Sequence, residues 1–334
     1  MGFFRGEVTE GDYKPSTIYR ILKPKHITGN EINGLGESVF RRPTPIYHWF
    51  GKLKVPFNRV TPILIVSDLF IKDAMKHIKK SIAFENKPHG QVAENKIEKT
   101  AAEWSASIKE FALQNGADLV GIKRMNSDWV FEGFEVREKW IIIMGFQMDY
   151  EELSKAPEPE GGTEVLRVYA NGQETAWKMT EWLISSGWDA KGFCGPDASP
   201  VSMLPAALAA GFGELGKHGS IINRELGSNL RLAYVLTDIP LQEDAEDSFG
   251  ADNFCTRCQI CTRACPPRAI LPEKQMVRGV EKWYVDFDKC VPYFNDYVGC
   301  GICIAVCPWS RPDVRPKLLA KMLKKRAGRE GLTA

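Results

Sequence analysis

The chain has no long hydrophobic run. Its longest apolar stretch, Pro62 to Ile71, is interrupted by Ser67-Asp68 and falls far short of the ~20 apolar residues a spanning helix needs. A secretory leader is not expected, because MGFFRGEVTEGDYKPST carries charges where an apolar region should be. Arg41-Arg42 is followed by PTPIY, not by the apolar run of a twin-arginine signal. The expectation is a cytoplasmic protein with no membrane span. Net charge is nearly absent at +2, which gives no ground for nucleic-acid binding. The balance is uneven, however. Residues 1–100 hold 17 Lys+Arg against 10 Asp+Glu, and residues 309–334 hold 8 against 2. These basic ends are either solvated faces or a surface for an acidic partner. Disulfide pairing is a poor reading of the nine cysteines, since eight lie within residues 255–307 at short repeated spacings.

What is present suffices for two ordinary domains, or for one large domain with an appendage: 334 residues, 44% hydrophobic and 26% charged. Residues 1–60 are rich in Pro, Gly and aromatics without a sustained period and read as an irregular arm. Helical spacing marks Asp68 to Ile82 and Ile97 to Asn115, and a long helix is expected from Glu164 to Ser186, stopping at Gly187. Strand-length apolar runs occur at Asp118–Ile122, Trp140–Met144 and Leu230–Thr237. Their alternation makes the body α/β or α+β. The acidic stretch Gln242 to Ser248 marks a boundary, and the tail from Leu318 reads as a basic helix. The expected division is therefore an arm with helices over 1–100, a core over 101–245, a cysteine module over 246–310 and a basic helix over 311–334.

The first cysteine motif is Cys255-x2-Cys258-x2-Cys261-x3-Cys265-Pro, and the second is Cys290-x9-Cys300-x2-Cys303-x3-Cys307-Pro. Thiolates two residues apart around a tight turn can reach different irons of one cubane, while the fourth cysteine of the run serves the other cluster. The spacing thus assigns Cys255, Cys258, Cys261 and Cys307 to one [4Fe-4S] cluster, and Cys265, Cys290, Cys300 and Cys303 to a second. Two four-cysteine zinc sites are the competing reading. A pair of clusters carries single electrons, so the rest of the chain either houses a substrate site or the protein is only an electron carrier.

In the body, Gly211-Phe-Gly-Glu-Leu-Gly216 matches G-x-G-x-x-G, but PAALAA before it is helix-like, so a Rossmann turn is not expected. These glycines let backbone approach a flat ligand closely, or simply end a helix. Lys217, His218, Gly219 and Ser220 continue the loop; His218 is a candidate ligand or an ordinary hydrogen-bonded histidine. Tyr169 and Arg231 are polar groups within segments suited to burial. A guanidinium next to a tyrosine favours its anion and hence proton donation, although an anchoring tyrosine and a salt-bridged strand end explain the same residues. Asp197, in the run Gly195–Pro200, is a turn residue by default, and Cys194 is a buried thiol or lines a pocket.

In order, these segments resemble the cobalamin-dependent reductive dehalogenases and the related epoxyqueuosine reductases. The resemblance runs from about Ile108 to Ser310, through AxxxGADLVGI ending at Ile122, Trp129-Val-Phe, the Val168-Tyr169 helix, Ala206–Arg231, TDIPL ending at Leu241, and both cysteine motifs, the second closing with CPW. It implies a nitroreductase-like α/β core holding base-off cobalamin, capped by a ferredoxin-like module with two [4Fe-4S] clusters. The clusters would reduce cobalt to Co(I), which attacks a small organohalide. Tyr169 then resembles the proton donor and Arg231 the residue that polarises it, whereas Asp197 sits where the epoxyqueuosine reductases carry their general acid. The loop Gly211, Gly213, Gly216, Lys217, His218, Gly219 and Ser220 would meet the corrinoid. No fused reductase domain is seen, so a ferredoxin, flavodoxin or reductase is the expected donor. Reduction of an epoxide or another C–O bond, including that of epoxyqueuosine in tRNA, is the alternative, followed by an electron-transfer protein with no substrate of its own.

Overall fold

The computed structural model describes residues 5–9, 12–47, 55–61, 72–195, 199–297 and 299–330. Its centre is a four-stranded antiparallel sheet in the order Leu119–Arg124, Trp140–Gln147, Leu230–Thr237, Ala190–Cys194. The WIIIMGF run is buried on both faces because it lies inside the sheet with a helical layer on either side. Period-2 alternation divides its side chains. Ile142, Met144 and Phe146 join Ala233 and Val235 beneath the long helix, while Ile141 and Ile143 join Tyr234 and Leu236 beneath the Met203–Ala209 helix. Each fully buried large side chain contributes roughly 1.5–3 kcal/mol, so this strand is a principal anchor of the core.

The long helix spans Pro159–Ser185, with proline in its first turn and Gly187 at φ +85° just past its end. It seats on the Ala190–Cys194 strand at unusually short range. A Cβ on Gly192 would come 2.8 Å from the Ala176 carbonyl oxygen, and one on Gly172 would come 2.9 Å from the Cys194 sulfur. Glycine at both positions lets helix and sheet close, and it fixes the height of Tyr169 above the sheet. The Ala101–Gln114 helix begins with a Thr100–Glu103 capping box and packs Trp104, Ile108 and Ala112 into the same layer.

The expected helices and strands are present with edges moved by a few residues. The helix expected over 68–82 is described as Lys72–Glu85, and its first residues lie outside the described part. The arm is more ordered than its composition suggests. It carries a hairpin, Glu7–Thr9 with Asp12–Lys14, and helices Thr17–Leu22 and Gly29–Asn33. It grips the cysteine module rather than the sheet: the Ser16 hydroxyl and amide both donate to buried Asp296, at 2.6 and 2.9 Å, and the Gly29 amide donates to Asp288 at 2.7 Å. The acidic stretch after Pro240 is likewise strapped down. Asp244 accepts from Ile122 and Lys109, and Asp247 pairs with Arg224. Among the described residues, no helix is long and apolar enough to cross a membrane.

Candidate functional site

The eight module cysteines fall into two electrostatic neighbourhoods. Cys255 feels Cys307, Cys261 and Cys258, and Cys307 in turn feels Cys261 and Cys258. Cys290 feels Cys300 and Cys265, and Cys303 feels Cys290, Cys300 and Cys265. Cys307 of the second motif thus lies among thiols of the first, and Cys265 of the first among thiols of the second. Cys303 also feels Cys261, so the quartets are neighbours. Each thiol is set by short local structure. Cys255 sits on the Ala251–Arg257 helix, Cys290 on Phe287–Asp296 and Cys303 on Ile302–Ala305. Cys300 has φ +32° between Gly299 at +92° and Gly301 at +78°, a left-handed turn that aims the sulfur inward.

Backbone amides point at the sulfurs. The amide of Ala269 donates to Cys265 at 3.3 Å, that of Lys217 to Cys255, and those of Trp309 and Ser310 to Cys307. Burial pushes the thiols of Cys255 and Cys307 up to about 12 and that of Cys261 up to about 11. Such groups become thiolates when bound iron supplies positive charge. Among the described residues no three His, Cys, Asp or Glu side chains are drawn together tightly enough to hold a single metal ion. The donor set of two soft quartets with amides directed at sulfur fits two iron–sulfur cages.

A cavity of about 450 Å³ opens at the end of the sheet where Ala190–Cys194 ends and Leu230–Thr237 begins. Tyr169, from the long helix, and Arg231, at the head of its strand, both line it. Alternation puts Arg231 on the helix-facing side with Ala233 and Val235, and its guanidinium carbon lies 5.8 Å from the Tyr169 ring centre. Arg231 Nη1 donates to the Leu230 carbonyl at 3.1 Å, whereas its buried Nε has no hydrogen-bond partner among the described residues. A buried guanidinium edge left unsatisfied is costly and suits a site that a ligand completes. Gly195 closes on the Tyr169 ring, since a Cβ there would come 3.0 Å from Cε1. Asp197 lies outside the described residues.

Of the loop residues named from the sequence, only Ser220 lines the cavity. The glycines meet the protein itself: Gly211 faces the Ala245 carbonyl, Gly213 (φ +116°) the Ile222 carbonyl, Gly216 the His218 ring and Gly219 Val285. Gly211 and Gly213 thus admit backbone and Gly216 and Gly219 admit side chains, with Glu214–Leu215 and Ile221–Ile222 forming a small ladder and no Rossmann turn. Lys217 is 1% exposed, donates to the Pro272 carbonyl at 2.8 Å and lies 4.7 Å from the Trp283 ring centre, within electrostatic reach of Cys261. His218 is buried between the Ser220 amide, which donates to Nδ1, and the Ser228 hydroxyl on Nε2. Cys194 is buried, with its sulfur 3.4 Å from the Tyr169 carbonyl oxygen.

Sequence reasoning missed several wall residues. Tyr47 and Asn33 come from the arm, and Arg278 comes from the module, its Nη1 donating to the Asn33 carbonyl at 2.8 Å. No local pattern announces them, because their meeting is long-range. Ser199 was also missed; it lines the cavity and shares a 2.6 Å hydrogen bond with Tyr234.

Comparison with known proteins agrees with this geometry. Residues 254–310 match the family described as a 4Fe-4S dicluster domain. The tetrachloroethene reductive dehalogenase of Desulfitobacterium hafniense is 32% identical over 213 residues, which are 59% of this chain and 38% of that protein. The epoxyqueuosine reductase of Salmonella typhimurium is 30% identical over 167 residues, covering 43% of this chain and 40% of that protein. The solved catabolic reductive dehalogenase NpRdhA superposes with a TM-score of 0.66 at 26% identity, over 75% of this chain and 39% of that one. A structure described as suggesting a mechanism for B12-dependent dehalogenation superposes equally well, at 0.66 over 76% of this chain and 41% of that one, and at 24% identity it speaks for the fold alone. The chain spans about 40% of the length of these relatives. It is a homologue of reductive dehalogenases carrying an iron–sulfur domain, with epoxyqueuosine reductases also among its relatives.

Proposed function

We propose that this chain is a cobalamin- and iron–sulfur-dependent reductase that removes halide from a small organohalide, R–X + 2e⁻ + H⁺ → R–H + X⁻. The observation that carries the reading is the Tyr169–Arg231 pair, which lines a cavity also walled by Arg278 of the cysteine-bearing part of the chain. A corrinoid is a flat ring rimmed with amides, and the unsatisfied Arg231 Nε and the hydroxyls of Ser202 and Ser220 are suitable partners for such a rim. When bound, it supplies low-valent cobalt for breaking the carbon–halogen bond. The protein's own part is the proton and the electrons. The Tyr169 hydroxyl delivers the proton to the carbon, and the Arg231 guanidinium stabilises the tyrosinate left behind. The cysteine quartets hold two [4Fe-4S] clusters that relay single electrons inward. On this reading the core is 101–245, nitroreductase-like, and the module is 246–310.

Reduction of a C–O bond, as in epoxyqueuosine, is the second reading; the similarity to the Salmonella reductase and the position of Asp197 in the sequence favour it. One experiment separates the two. Protein reconstituted with iron, sulfide and cobalamin is reduced and offered haloaromatics, haloalkenes and epoxides, and halide release is followed by ion chromatography. Stoichiometric halide supports dehalogenation, whereas turnover of epoxides alone sinks it in favour of C–O reduction.

A further inference from the structure

A groove of about 690 Å³ lies on the cysteine module away from the cavity, between the segment carrying Cys258 and the Arg315–Glu330 helix. Its charged lining is all of one sign: Arg257 and Arg263 on one wall, Lys321, Lys325 and Arg326 on the other. Among the described residues no acidic side chain lines it. Arg326 donates to the Ser248 carbonyl and so ties the helix down, while Arg257, Arg263, Lys321 and Lys325 make no ion pair among the described residues. Lys321 and Lys325 stand one turn apart on an exposed helix face, a like-charge pair that weakens the helix. Folding therefore does not explain this concentration of charge.

The floor of the groove is redox-relevant. Cys255, Cys261 and Cys307 of the first quartet are 6%, 7% and 6% exposed, but Cys258 is only half-buried and lines the groove. The edge of that quartet open to solvent is thus the one ringed by cations. Beside it, Ile260 stands 46% exposed, an apolar contact inside a basic rim. Tunnelling slows steeply with distance, so electrons should enter where a cluster ligand reaches the surface.

We propose that this groove is the docking port for a small, acidic one-electron carrier protein, whose carboxylates ring its redox centre. One electron passes per encounter from the reduced carrier to the cluster held by Cys258, oxidising the carrier by one; two encounters supply one turnover. A nucleic acid or anionic membrane would find the same charge, but neither gains from a path ending at a cluster ligand. The proposal rests on the module holding clusters and is independent of which bond the enzyme reduces.

The test follows cluster bleaching by anaerobic stopped-flow in the reconstituted protein. An acidic [2Fe-2S] ferredoxin and the small cation radical of methyl viologen serve as reductants. At low salt the ferredoxin rate should fall at least ~10-fold in Lys321→Glu/Lys325→Glu and by less in Lys321→Gln/Lys325→Gln, and the difference should vanish at high salt. The methyl viologen rate should not fall, which also verifies that the variants retain their clusters. Equal, salt-independent ferredoxin rates in all three proteins overturn the port, as does unaltered ferredoxin reduction accompanied by lost binding of an RNA or an anionic vesicle. Salt-sensitive cluster reduction without any turnover of substrate sinks the proposed chemistry and leaves the port standing.

Discussion

The guanidinium carbon of Arg231 lies 5.8 Å from the centre of the Tyr169 ring, and the two residues come from the sheet and from the helix that covers it. A cation so placed stabilises a tyrosinate more than a tyrosine. Tyr169→Phe should therefore keep both clusters reducible yet slow turnover by about 10²-fold or more, the usual scale for losing a general acid. Arg231→Leu should do the same, with Arg231→Lys recovering part of the rate. Full activity in Tyr169→Phe, measured by halide release, would move the acid role to Asp197 or to water.

Lys217 is a nearly fully buried side chain with no carboxylate partner among the described residues, lying within electrostatic reach of Cys261. Reducing a cluster adds negative charge, which a nearby cation favours. Lys217→Gln should lower the reduction potential of the cluster proposed for Cys255, Cys258, Cys261 and Cys307, and Lys217→Arg should lower it less. Redox titration monitored by EPR reads this directly. An unchanged potential would make Lys217 a packing residue only.

Burial alone pushes the His218 imidazole down to about 4, with no charged neighbour contributing. The Ser220 amide can only donate, so Nδ1 must accept and Nε2 carries the proton toward Ser228. The folded protein resists protonation there more than the unfolded chain does. Stability from this residue is present above the unfolded value near 6.5 and is lost as pH falls from there toward 4, on the order of 3 kcal/mol in total. The denaturant midpoint of the wild type should drop more between pH 7 and pH 5 than that of His218→Gln. Parallel curves for the two proteins would contradict this.

Much of the fold was legible because its causes are local. Leu230–Thr237 alternates apolar side chains between two faces, and the cysteine spacing marks the module as a candidate cluster site. The Ala190–Cys194 strand was not legible, since AKGFC is short and contains the glycine that admits the helix. The arm's ties to Asp296 and Asp288 join residues more than 250 positions apart, which no periodicity records. The same holds for the cavity wall. Tyr169 and Arg231 could be named from their chemistry, but their meeting depends on Gly172 and Gly192 closing the helix onto the sheet. The glycine loop is ambiguous in sequence, because an x-G-x pattern looks the same whether protein or cofactor comes close.

The crossing cysteines give the sharpest check on the module. Cys307 closes the second motif but neighbours Cys255, Cys258 and Cys261, and Cys265 closes the first motif but neighbours Cys290, Cys300 and Cys303. Removing either should cost one cluster, about four of about eight irons, and should spare the other. Paired substitutions then distinguish the partition from a simple motif-by-motif arrangement. If Cys258 and Cys307 serve one cluster, Cys258→Ala/Cys307→Ala loses no more iron than either single change, because the second substitution falls on a cluster already gone. Cys303→Ala/Cys307→Ala, both within the second motif, should instead strip both clusters. Iron analysis with EPR of the remaining reduced cluster decides the matter: if that last pair retained four irons, each motif would be holding its own cluster and the crossing would be wrong.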